Sequence, residues 1–118
     1  MIEQTIRQAL VTAGIASVYP ISAPQDADLP YCVIWRIGAD ADMTLDGDAS
    51  LRRKTIQVSY FSTSSTDALQ KADIIADTLI GFTGDAIQNT ELVTEGSSYE
   101  YDTKLYHVFL RFDIWHTA

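Results

Sequence analysis

Residues 105–115 alternate with period two. Tyr106, Val108, Leu110, Phe112 and Ile114 share one face, and His107, Phe109, Arg111, Asp113 and Trp115 share the other. An alternation this long specifies a strand. A strand that is apolar on one side must bury that side against a second layer, so any fold for this chain has to supply a cover for it. The chain has 118 residues, 47% of them apolar and 20% charged. That is enough for one buried core, and a single domain over residues 1–118 is expected.

The covers are legible as helical stripes. Ile2, Ile6, Ala9, Leu10 and Ala13 recur at helical spacing over residues 2–13, and Gly14 follows where a left-handed cap residue would sit. Leu69, Ala72, Ile75, Ala76, Leu79 and Ile80 give a second stripe, with Asp67, Asp73 and Asp77 toward solvent. Ser64 followed by Asp67 resembles a capping box at its start. The helix should end at Gly81 or Gly84, which makes Gly81-Phe82-Thr83-Gly84 a helix terminus. The alternative is a phosphate-clamping GXXG loop. That loop would need cations, and residues 72–103 hold seven acids and no Lys or Arg.

Further strands are expected at residues 31–37, at 55–61 and, weakly, at 86–94, with a turn at residues 95–98 before the last strand. Residues 19–30 hold all three prolines and read as an extended connector. Residues 38–50 read as a long loop. The expected fold is α+β: a two-layer, mostly antiparallel four-stranded sheet with two helices on one face, in the order α-β-β-α-β-β. A permuted ferredoxin-like arrangement is the alternative.

Sixteen acids against eight bases give a formal charge of −8. Such a surface repels phosphate, which disfavours direct nucleic-acid readout and anionic membranes. No stretch approaches the ~20 apolar residues needed to span a bilayer, and Met1-Ile2-Glu3-Gln4 lacks the features of a signal peptide. Cys32 lies in an apolar run and reads as a small hydrophobe. These features fit synthesis in a reducing cytosol.

No phosphate loop, dinucleotide fingerprint, nucleophile elbow or HExxH zinc motif occurs. With two histidines and one cysteine, a zinc site is not expected, and neither catalytic residues nor a cofactor are assigned. Asp40, Asp42, Asp46 and Asp48 cluster within the loop but fail the EF-hand spacing, so a solvated loop is expected in preference to a weak cation site. Arg52, Arg53 and Lys54, the one basic cluster, adjoin it. They would either balance the aspartates internally or meet an acidic neighbour. Phe109, Arg111 and Trp115 lie on the mixed face of the last strand, a composition enriched at protein interfaces. These ten residues are the candidate interface. A small-ligand cleft near His107, Arg111 and Asp113 is a weaker alternative.

Three segments of the connector and first strand carry a resemblance: Val18-Tyr19-Pro20, Ala23-Pro24-Gln25, and Leu29-Pro30-Tyr31-Cys32-Val33-Ile34. In this order they resemble the N-terminal signature of small tail-completion proteins, also called tail-terminator or head-to-tail joining proteins, of long-tailed phages and prophages. Residues 56–61, the Ser/Thr-rich helix start and residues 106–115 are similar to the same family. The resemblance implies a non-enzymatic virion structural protein that caps the tail tube as a six-membered ring and joins it to the head. Its implied partners are further copies of itself, the tail tube protein and a head connector protein. DNA would pass through without specific binding. Assembly in the host cytoplasm and residence in the virion tail are implied as well. A head-side connector or minor tail protein is the neighbouring alternative.

Overall fold

Ile2, Ile6 and Leu10 form the buried stripe of α1 (Ile2–Thr12) in a computed structural model of the chain. The structure describes residues 2–15, 17–20, 23, 28–41, 51–84 and 86–117. The remaining elements among these residues are β1 (Val18–Pro20), β2 (Tyr31–Ala41), β3 (Leu51–Ser62), α2 (Ser65–Leu79), β4 (Ile87–Glu100) and β5 (Leu105–Thr117). Both expected helices are present. Gly14, just beyond α1, takes φ +100°, and the left-handed region costs glycine little.

The sheet corrects the expectation in three places. It has five strands in the order β1-β2-β3-β5-β4, and it is mixed, because β1 runs parallel to β2. The extra strand lies in the proline-bearing connector. Pro20 is tolerated because β1 is an edge, where a missing N–H leaves no ladder bond unmade. Second, residues 38–41 are strand, not loop: β2 continues past a bulge at Ile37 and pairs with the start of β3. Third, residues 95–98 are not a turn. They extend β4 opposite Val108–Leu110 and His107, and the reversal comes at residues 101–104. The permuted ferredoxin-like alternative describes four of the five strands: β3-α2-β4 is a split βαβ unit, its two strands parallel with β5 antiparallel between them, and β2 lies beyond β3.

Alternation places Cys32 and Ile34 of β2, Ile56, Val58 and Tyr60 of β3, and Val108, Leu110, Phe112 and Ile114 of β5 on one face. There they meet Ile6 and Leu10 of α1 and Ala68, Ile75 and Leu79 of α2 in one core. The α2 stripe is rotated from the expected one. Ala68 is buried, whereas Leu69 and Ile80 are 56% and 52% exposed. Tyr60 explains the rotation in part, because its hydroxyl donates to Asp67 Oδ2 at 2.7 Å and fixes the first turn. Ser64 caps that turn as expected, accepting from the Asp67 N–H at 3.2 Å. The reciprocal half of a capping box is replaced, since the Ser64 N–H donates to Ser62 Oγ. Gly81, at φ +74°, ends the helix and donates to Thr90 O of β4 at 2.8 Å.

Candidate interaction surfaces

Among the described residues no helix covers the other face of the sheet; it is held together by its own side chains. Phe61 on β3 and His107 on β5 stand opposite each other in the register. Their rings stack 4.4 Å apart and 7° from parallel. Tyr31 continues the row at 5.1 Å from Phe61, and Tyr19 lies 6.4 Å further on, edge to face. Phe109 closes it beside His107 at 5.9 Å. The row crosses β1, β2, β3 and β5, so aromatic cross-strand pairs replace a packed layer. Gly96 of β4 lies opposite Phe109. A Cβ there would stand 2.6 Å from the ring, so glycine is what lets the ring lie over the strand.

Below this row the face is polar. Arg111 donates to Gln57 Oε1 at 3.0 Å, Gln57 donates to Ser59 Oγ at 3.1 Å, and Thr55 donates to Asp113 Oδ1 at 2.7 Å. At the far end the Arg53 guanidinium lies 5.7 Å over the Trp115 ring, within cation–π reach. His107, Arg111 and Asp113 are thus each engaged by a β3 side chain. The cleft imagined around them is not formed: they share a face but make no common site. Burial holds the His107 imidazole below its ordinary range, against a smaller upward pull from Glu100.

The basic cluster is divided between the two faces. Arg53 shares the parity of Thr55 and Gln57, whereas Arg52 and Lys54 share that of Ile56 and stand opposite His116 and Ile114. On that side Glu3 of α1 forms an ion pair with Arg36, whose Nε donates to Glu3 Oε1 at 2.6 Å. Burial opposes ionisation of Glu3. The backbone N–H, Arg36 and nearby Lys54 outweigh it and hold the carboxyl below the usual range. Lys54 therefore balances an acid within its own chain, and that acid is not one of the predicted aspartates. Asp40 stands opposite Arg53 in the backbone register. Asp42, Asp46 and Asp48 lie outside the described residues.

Of the ten candidate residues, Arg53, Phe109, Arg111 and Trp115 come together on the open face. Tyr19, Tyr31 and Trp35 belong with them and were not singled out. The available signal was that residues 31–37 are apolar on both alternating faces except at Arg36. Among the described residues no group of three or more His, Cys, Asp or Glu side chains is arranged to hold a metal ion. Cys32 is buried, and desolvation pushes its thiol up to about 12.

The same fold occurs in a chain described as "Virion of native gene transfer agent (GTA) particle", with a TM-score of 0.71 over 96% of this chain and 92% of that one. At 13% identity the likeness is one of fold. No curated protein matches by sequence. The family described as "Tail completion protein gp17" matches residues 4–117, and the chain belongs to that family. The resemblance read from the sequence therefore holds, and the chain is a structural protein of a phage-type virion tail. Among the described residues no helix is long and apolar enough to cross a membrane.

Proposed function

We propose that this chain finishes a phage tail: it caps the completed tube as a closed ring of six copies and joins it to the head, without catalysing a reaction. The family match across residues 4–117 carries this reading. Charge supports it. A ring of chains each bearing −8 repels phosphate, so DNA would pass its opening without adhering. A closed ring needs two different complementary patches on each copy. We assign one of them to the arm of β2 and β3, where Arg52 is exposed and Arg53 lies over Trp115. The acidic segment of residues 38–50 would face the opening or the tube.

Electron microscopy of the protein mixed with purified tail tubes tests the role. Density at one end of each tube is expected. Decoration along the tube, or binding to heads alone, would make the chain a minor tail protein or a head-side connector instead. Separately, Arg52→Glu with Arg53→Glu is expected to abolish rings in light scattering while the circular dichroism spectrum stays native. Unaltered assembly would discard the arm as an interface.

A further inference from the structure

Gly81 and Gly84 occupy the start of β4, but beyond Thr90 its outer edge has no strand partner among the described residues, since β4 is the terminal strand and continues to Glu100. Such an edge invites another strand. Beside it, α2 leaves a groove of about 460 Å³, lined by Leu69, Ala72, Gly96 and Val108 with Asp73 and Glu95 at its rim. Leu69 is 56% exposed there. Ala72, Asp73, Glu95 and Gly96 of this lining belong to the stretch of residues 72–103 that has seven acids and no base. Two such edges brought together would set like charges against each other, which opposes symmetric pairing of β4 with a second β4.

The complement lies across the same molecule. Arg52 and Arg53 sit on the β2–β3 arm together with Trp35 and Ile37, which are 46% and 48% exposed. Cation and apolar surface on the arm match acid and apolar surface in the groove. We propose that the acid-rimmed groove between α2 and β4 receives the β2–β3 arm of the next copy. The inference rests on the ring reading above and adds to it the second half of the contact. It makes the contact heterologous, with the arm of each copy filling the groove of the next.

Two single-cysteine additions test it in the full chain, Ile37→Cys and Leu69→Cys. Cys32 is buried with its thiol pushed up to about 12, so it does not compete. Under mild oxidation the mixed variants should give a disulfide-linked dimer about tenfold more abundant than either variant alone, because docking raises the local thiol concentration. Asp73→Lys with Glu95→Lys in the Leu69→Cys chain should abolish the product. Arg52→Glu with Arg53→Glu in the Ile37→Cys partner should restore it. Rings that form without the mixed dimer would overturn this inference and leave the ring reading standing. A Leu69→Cys self-dimer would overturn it in favour of a symmetric contact. Absence of any assembly in light scattering would overturn both.

Discussion

On the side facing the helices, β5 buries Val108, Leu110, Phe112 and Ile114; on the side facing away it leaves His107, Phe109, Arg111, Asp113 and Trp115 half-buried. The first set is held by a second layer, so its contribution scales with apolar area removed from water. Among the described residues the second set has no layer above it. It is held by partners on neighbouring strands: a ring stack, a side-chain amide, a hydroxyl and a guanidinium over an indole. Cross-strand pairs of this kind contribute roughly 0.2–1 kcal/mol each, well below the value of a core side chain. One strand thus carries both the stability of the fold and a face that can change with little loss of it.

The contrast can be broken most severely from the helix side. Phe112→Ala should cost about 3–5 kcal/mol, through lost transfer energy and the cavity left behind. A fall in the urea midpoint with an unchanged slope would register it. A loss comparable to that of a surface substitution would show that the helices do not close over β5. Gly96→Ala tests the open side, because the new methyl would stand 2.6 Å from the Phe109 ring. A cost on the order of 1–3 kcal/mol is expected from the forced overlap. It should shrink when Phe109→Ala is combined with it, and additivity of the two would show that the ring does not depend on the glycine.

The smallest expected effect sharpens the comparison through pH. The His107 imidazole titrates lower when folded than its ordinary 6.5, because burial disfavours the cation. The unfolded chain therefore takes up the proton first. Stability is full above the unfolded value and is lost as pH falls through the lowered folded one. His107→Phe retains a ring beside Phe61 and removes this step. Its urea midpoint should fall less than that of the wild type between about pH 7.5 and about pH 5. Equal falls would show that the stack does not exclude the charged form.

How much of this was legible follows from what makes each element. The α1 stripe, the Ser64 cap and both faces of β5 were readable because periodicity and capping are local. β1 was not, because three residues ending in Pro20 take their strand geometry from pairing with Cys32–Ile34. Residues 95–98 read as a turn on composition alone. Their pairing with His107–Leu110 of β5 makes them strand. The division of Arg53 from Arg52 and Lys54 was available in principle: continuing the alternation of Ile56, Val58 and Tyr60 two steps back puts Lys54 with them. The ion pair of Glu3 with Arg36 spans 33 residues, and no local pattern announces it.

The order of strands in the sheet differs from their order in the chain. β5, the last strand in the sequence, lies between β3 and β4. Without it β4 has no strand beside it and the groove next to α2 has no floor. β3 and β4 meet only through β5, so whatever displaces β5 dismantles the core and the outer margin of the sheet in a single event.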